Sequence, residues 1–314
     1  DRGYYSRSHD VPSEVRHLAE YEDLNETDPN KFNDRTLRKA VSEWQWNRES
    51  ALEKYGHISD WDTSQVTNMS NLFKKAIKFN DPIGKWNVSS VKNMSCMFFY
   101  APEFNQPIGA WDVSNVKDMS HMFQKSKAFN QPIGDWDVSS VKNMEMMFKD
   151  SVFNQPIGNW DVSNVEVMHA MFYYTPFNQD ISSWDVSNVK DMSSMFKSSN
   201  FNQPIGSWSV FNVKDMSYMF DSSNFNQPIG DWGVSSVTSM KNMFCGAREF
   251  NQPISDWDVS NVKDMSHMFD FSNFNQPISE WNVSNVKKMS SMFSGAKEFN
   301  QPIGNWDVSS VTSM

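Results

Sequence analysis

The chain has 314 residues and a formal net charge of −10, which gives a pI near 5.1. Proteins that bind nucleic acids or anionic membrane surfaces through charge carry a basic stripe, so this acidic balance argues against both partners. No run of about 18 apolar residues occurs, and the sequence therefore predicts no membrane insertion.

The first two segments differ from the rest of the chain. Residues 1–33 are polar and acidic, and we interpret them as an extended lead-in. Residues 34–56 favour a helix with Asp34 as its N-cap, which would cover the open end of a repeat array. Its predicted inner face holds Leu37, Ala40, Val41, Trp44, Leu52 and Tyr55. We expect Trp44 in the core and Trp46 partly exposed; a binding role for these two tryptophans is the alternative.

From residue 57 onward one pattern recurs about every 24 or 25 residues. Its most constant member is a tryptophan, found at Trp61, Trp86, Trp111, Trp136, Trp160, Trp184, Trp208, Trp232, Trp257, Trp281 and Trp306. A fixed period in this range is typical of a solenoid, in which each unit buries its apolar face against its neighbours. The sequence predicts a solenoid of about 10–11 repeats over residues 57–314, open at its C-terminal end.

Two apolar periods alternate inside each repeat. Around Trp111, the residues Ile108, Trp111 and Val113 match the L-x-x-L-x-L strand pattern of leucine-rich repeats. Residues 116–123 then show helical spacing after Ser114, whose hydroxyl suits a helix N-cap. We therefore predict an α/β solenoid of the leucine-rich-repeat type, with one short parallel strand and one short helix per repeat and a core of aromatic residues and methionines.

Two polar rows run through the repeats. An asparagine row is predicted to be a structural ladder of amides bonded along the axis, at Asn80, Asn105, Asn130, Asn154, Asn178, Asn202, Asn226, Asn251, Asn275 and Asn300. The second row follows each tryptophan and is mostly aspartate, and its candidate calcium ligands are Asp112, Asp137, Asp161 and Asp185. Like charges about 5 Å apart repel. Cations could relieve this repulsion, but we favour hydrogen bonds to an adjacent helix N-terminus or plain solvation.

Few residues suggest chemistry. Cys96 and Cys245 lie six repeats apart, so at about 4.8 Å per repeat they are about 30 Å apart, and we expect two free thiols. N-glycosylation sequons begin at Asn25, Asn68, Asn87, Asn93 and Asn282, and they matter only if a eukaryotic cell secretes the chain. No histidine pair, phosphate-binding loop or nucleophile motif is present, so we predict neither catalysis nor a cofactor.

The unit W-D-V-S-x-V-x-x-M-x-x-M-F resembles the repeats of the BspA-like leucine-rich-repeat surface proteins. The match covers about residues 34–314. The chain departs from the pattern at Phe211, where the capping Ser is replaced, and at Asp180, where the proline is replaced. The resemblance implies a secreted or surface-attached microbial protein with a role in adhesion or surface structure and no common enzymatic activity.

Two functions follow as expectations. The first is a structural extracellular protein that associates with itself or with other surface proteins into a fibre or coat, because a bare solenoid end exposes edges that invite pairing. The second is an adhesion module whose concave strand face holds a protein or glycan. An enzyme is a third and least favoured reading.

Overall fold

A computed structural model describes residues 29–314 of the chain. Its helices lie at the N-terminal end: α1 spans Asp34–Trp46, α2 spans Arg48–Tyr55, and a 3₁₀ turn follows over Ile58–Asp60. Neither described helix has the length and apolar character that crossing a membrane requires. Of the lead-in predicted over residues 1–33, residues 1–28 lie outside the described residues. In the remainder, Lys31 forms a parallel bridge with Asp62 and Phe32 is buried.

The capping segment is two helices rather than the one that was predicted. Asn47 ends α1 by donating its N–H to the Glu43 carbonyl at 2.7 Å, and its side chain accepts the Ser50 N–H at 3.2 Å to begin α2. The break shifts the helical register. Ala51 is therefore buried and Leu52 is 47% exposed, which corrects the predicted inner face.

Asp34 is not the N-cap of α1. Asn33 takes that position in a capping box, where its side chain accepts the Arg35 and Thr36 N–H groups at 3.0 Å. Trp44 is buried and Trp46 is 88% exposed, so the core role predicted for Trp44 is confirmed.

The repeats contain neither the predicted helix nor the predicted strand. Among residues 61–314 the only sheet-like pairing is a set of single parallel bridges, each joining one repeat to the next. The bridges fall on Asp118 and its equivalents, inside the range predicted as helical. Around the predicted strand, the Trp111 N–H bonds back to the Ile108 carbonyl at 3.1 Å, which is a turn.

Successive turns replace the helix. In the repeat that starts at Trp111, the Met122 N–H bonds the Met119 carbonyl at 3.2 Å, and the Ser126 N–H bonds the Phe123 carbonyl at 3.1 Å. The third residue of each turn, His121 or Lys125, has a φ near +60°, at 57° and 61°. A positive φ at that position alone is the mark of a type II turn. The turns bury Met119, Met122 and Phe123 at spacings that mimic a helix.

The same segment bonds to the following repeat at every second residue. The N–H groups of residues 119, 121, 123 and 125 donate to the carbonyls of residues 143, 145, 147 and 149 at 2.7 to 3.0 Å. This pattern recurs along the chain, so most repeats are tied to the next by a short ladder of backbone hydrogen bonds. We propose that residues 57–314 form one continuous solenoid on this basis.

The core consists of stacked columns of identical side chains. Trp111 and Trp136 stack with ring centroids 6.5 Å apart, and Phe98 and Phe123 stack at 5.6 Å. Each tryptophan from Trp86 to Trp306 also donates its indole N–H to a carbonyl of the unit before it; for Trp136 the acceptor is Ile108, at 3.1 Å. The tryptophans from Trp61 to Trp281 are at most 3% exposed. Burial of the tryptophans and methionines as core is thus confirmed.

The asparagine row bonds along the axis, as predicted. The Asn130 N–H donates to Asn105 Oδ1 at 3.1 Å, and Gln131 Nε2 donates to the same Asn105 side chain and to its carbonyl at 3.0 Å. Asn154 N–H in turn donates to Asn130 Oδ1 at 2.9 Å. The row satisfies backbone donors that face no other partner.

Candidate binding surface

The acidic row is held by its own turns. Asp112 Oδ1 accepts the N–H of Ser114 at 3.1 Å and its hydroxyl at 2.6 Å, and Asp137 Oδ1 accepts the Ser139 N–H at 3.0 Å. Hydrogen bonds from the Ser139 hydroxyl and N–H lower the pKa of Asp137. The partner is therefore the serine two residues on, and not a neighbouring helix, since the repeats have none.

The candidate calcium ligands are separate side chains on this row. Asp112, Asp137, Asp161 and Asp185 are all exposed, and each contacts its own serine. Within residues 29–314, no three or more His, Cys, Asp or Glu side chains are grouped as metal ligands. Calcium binding at this row stays the less favoured alternative, which an EGTA titration can test.

The sequons fall into two environments. Asn87 and Asn282 are exposed, and each uses its amide oxygen to accept the hydroxyl of the serine two residues on, at 2.7 Å. Asn68 and Asn93 are half-buried and lie on the bridge column rather than on a helix. Asn25 lies outside the described residues. Exposure therefore favours Asn87 and Asn282 as the accessible acceptors.

Within residues 29–314, no cysteine or histidine belongs to a group of three or more side chains that could hold a metal ion. Cys96 and Cys245 are free, as predicted, and partial burial raises the pKa of both thiols. The repeat histidines each contact one nearby side chain through Nδ1: His121 with Gln124, His169 with Ser193 and His267 with Asp270.

A surface that the sequence did not indicate lies on the tandem turns. Here lysine and tyrosine side chains alternate from one repeat to the next. Lys149 Nζ lies 4.8 Å from the Tyr173 ring centroid, and Lys197 Nζ lies 5.7 Å from Tyr173 and 4.5 Å from Tyr218. Lys241 continues the series at 5.7 Å from Tyr218. We call the surface formed by the tandem turns the turn face.

The turn face also carries exposed aromatic rings. Tyr100, Tyr174 and Phe271 occupy one slot of the repeat and are 45%, 62% and 60% exposed. All three have a positive φ, at 53°, 56° and 54°. The signal in the sequence was the appearance of aromatic residues at a slot that other repeats fill with serine, lysine, aspartate or glycine.

Stacked repeats, ladders of backbone bonds and side-chain rows define a repeat-containing protein. Models of one family match residues 39–155, 150–237 and 221–314, and its description reads "Mycoplasma protein of unknown function, DUF285". These matches cover most of the chain, which therefore belongs to that family. No curated protein and no solved structure matches it.

Proposed function

We propose that this chain is a non-enzymatic structural repeat protein of the extracellular space or cell surface, and that its solenoids associate side by side into a fibre or coat. The surface location rests on the resemblance of the repeat unit to BspA-like proteins. The assembly rests on the charge pattern of the exposed rows.

Two rows of opposite charge run along the repeats with one period. The acidic row follows the tryptophans. The basic row is exposed and comprises Lys92, Lys117, Lys142, Lys190, Lys214, Lys263 and Lys287. The slots of each row are one repeat apart, although Glu166 and Thr238 interrupt the basic row and Ser209 and Gly233 interrupt the acidic row. The basic row of one copy can therefore register against the acidic row of another over most of its length. Many weak pairs in register add up, although each exposed pair alone contributes only about 0–1 kcal/mol.

The basic row shows little pairing within the chain. Lys190 contacts Glu166 of the same row at 2.5 Å, and no other of these lysines forms an ion pair within residues 29–314. Neighbouring lysines of one sign repel one another. An acidic surface from a second copy relieves that repulsion.

The test compares assembly at low and high salt. Negative-stain microscopy and sedimentation are expected to show filaments at about 50 mM salt and dispersed molecules at about 500 mM, because salt screens exposed charges. Replacing Lys92, Lys117 and Lys142 by threonine is expected to prevent assembly. Threonine occupies this slot at Thr67 and Thr238, so the variant keeps a native residue type. Discrete particles of unmodified protein in both salt conditions contradict the proposal.

The second candidate, an adhesion module, is favoured by the exposed aromatic rings of the turn face. It differs from the sequence-based expectation, which placed the ligand on a strand face. Exposed aromatic rings with adjacent lysines give a surface for a ligand.

A further inference from the structure

Tyr174 stands at a costly position without a role in the core. Its φ is 56° and its side chain is 62% exposed. Left-handed backbone costs an L-residue about 1–2 kcal/mol, and a bulky side chain there is an outlier. The same slot holds Ser198, Ser222 and Gly246 in later repeats, so the fold does not require a ring. The same φ and exposure recur at Phe271, so the surroundings of Tyr174, and not its backbone, distinguish it.

The ring of Tyr174 borders a groove. This groove has a volume of about 390 Å³ and is lined by Gln124, Lys125, Lys149, Asp150, Tyr173 and Tyr174. Its size falls in the range of about 300–1,000 Å³ found for small-ligand sites. Backbone bonds fix the wall in place, because Lys125 N–H donates to the Lys149 carbonyl at 2.9 Å and Asp150 N–H donates to the Tyr173 carbonyl at 2.8 Å.

The groove is locally basic in an acidic chain. Lys127 Nζ contacts Asp150 Oδ1 at 2.5 Å and lies 5.9 Å from the Tyr174 ring centroid, so that one positive charge is matched. Lys125 and Lys149 form no ion pair in the described part of the chain. Two unmatched positive charges beside an exposed ring favour a ligand that is both flat-faced and anionic.

We propose that this groove binds an acidic polysaccharide, which deepens the adhesion function and rests on it. A pyranose ring lies on Tyr174, because the negative face of an aromatic ring attracts the weakly positive C–H groups of a sugar. The carboxylate or sulfate of the sugar contacts Lys125 and Lys149. Asp150 and the Tyr173 hydroxyl have the atoms to bond sugar hydroxyls. An acidic peptide would use the lysines but would not need the ring.

The experiment measures binding of the whole chain to immobilised probes. The probes are a heparin oligosaccharide for sulfate, an oligogalacturonate for carboxylate, neutral dextran of similar length, and polyglutamate. We expect binding to at least one of the first two, with the other two at least tenfold weaker. Tyr174→Ser is expected to weaken binding about three- to tenfold. Lys125→Ser is expected to lower the dependence of log affinity on log salt by about one.

Phe271→Ser is the matched control. Phe271 occupies the same slot with a similar exposure and φ, and within residues 29–314 no lysine lies over its ring. The control is expected to bind as the unmodified chain does. The proposal is overturned if Phe271→Ser and Tyr174→Ser weaken binding equally, or if dextran binds as well as the acidic glycans. It is also overturned if polyglutamate binds strongly and Tyr174→Ser does not change that binding. Absence of binding to both acidic glycans also overturns the proposal. That result leaves open adhesion through another ligand, and the filament assay tests the assembly function independently.

Discussion

The cap on the first repeat allows a sharp test of how the array is stabilised. In later repeats, the carbonyls of the bridge segment accept N–H groups from the preceding repeat, as Asn93 O does from Met69 N. The first repeat has no predecessor. Arg38 of α1 supplies the missing donors, with Nη1 at 2.6 Å from the Ser70 carbonyl and Nη2 at 3.1 Å from the Asn68 carbonyl.

We predict that Arg38→Ala loosens the first repeat and leaves distant repeats intact. Each hydrogen bond from a charged donor contributes about 1.5–3 kcal/mol, and water reaches part of this half-buried site, so the loss is about 2–4 kcal/mol. That energy corresponds to roughly 30- to 700-fold less protection, at about 1.4 kcal/mol per tenfold change. Stability in repeat arrays is a sum over neighbours, so the effect stays near the cap.

Hydrogen exchange followed by mass spectrometry measures this local loss of protection directly. Peptides over residues 67–76 are expected to exchange faster in the variant, and peptides over residues 191–200 are expected to exchange as before. Arg35→Ala is the matched control, because Arg35 is exposed on the same helix and its side chain forms no hydrogen bond within residues 29–314. Equal effects of Arg35→Ala and Arg38→Ala, or an equal loss of protection in both peptides, refute the reasoning.

Four further predictions follow from the same contacts. Trp160→Phe is expected to lower the free energy of unfolding by about 2–4 kcal/mol in urea titrations, because it strands the buried Ile133 carbonyl, now 3.0 Å from the indole N–H; an effect below about 1 kcal/mol contradicts this. Asn130→Ala is expected to cost about 1 kcal/mol in the same titration by removing the acceptor of the Asn154 N–H, and no change would show that water replaces it. Partial burial opposes ionisation of Asp34, but hydrogen bonds from the next repeat hold its pKa below the ordinary value of 3.8. A lowered folded-state pKa gives stability that is present above the ordinary pKa and is lost as pH falls through the folded-state pKa. Exchange protection of residues 67–76 is therefore expected to be level from about pH 5 to 8 and to fall below about pH 4. The same pH profile in Asp34→Ala as in the unmodified chain contradicts this. EGTA is expected to leave Tm unchanged, since the acidic row bonds its own serines, and a fall of several degrees would reveal bound calcium.

The period and the core were readable from the sequence because burial repeats with it. A tryptophan at each unit, with valine and methionine at fixed offsets, leaves few choices for what faces inward. The indole bond to the preceding unit was not readable, since it depends on the offset between units. Trp136 reaches Ile108, a residue of the unit before, and no spacing inside one repeat encodes that contact.

The turns were mistaken for a helix for a definite reason. Residues 119, 122 and 123 have helical spacing, and two type II turns bury the same three positions. A position with left-handed backbone is usually recognisable in a sequence because glycine occupies it. In the repeats, the glycines with a positive φ are Gly246 and Gly295, whereas the two positive-φ residues of another repeat are His121 and Lys125. The bonds to the next repeat hold the strained conformation, and only the three-dimensional ladder shows them.

Asp34 illustrates a different limit. Asn33 and Asp34 are both good N-caps, so local propensity could not choose between them. The choice is made by the first repeat, because Asp34 Oδ1 accepts the Thr67 N–H at 2.7 Å and the Asn68 N–H at 3.1 Å. The Asp34 carboxylate accepts hydrogen bonds from N–H groups of the first repeat, and Arg38 donates hydrogen bonds to carbonyls of the same repeat.

The slots of the repeat have different structural roles, and these roles indicate at which slots differences between repeats can carry function. Core slots are filled by stacked rings, the asparagine slot by bonds along the axis, and the acidic slot by bonds within each turn. A change at any of these alters a contact that recurs along the chain. The turn-face slot of Tyr174 is different, since it accepts lysine, aspartate, serine, glycine and aromatic side chains while the backbone ladder beneath it stays the same. A repeat array can therefore acquire a ligand site on its turn face by substitution at a few such slots, at little cost to the array. The groove beside Tyr174 is a place where aromatic and basic substitutions coincide.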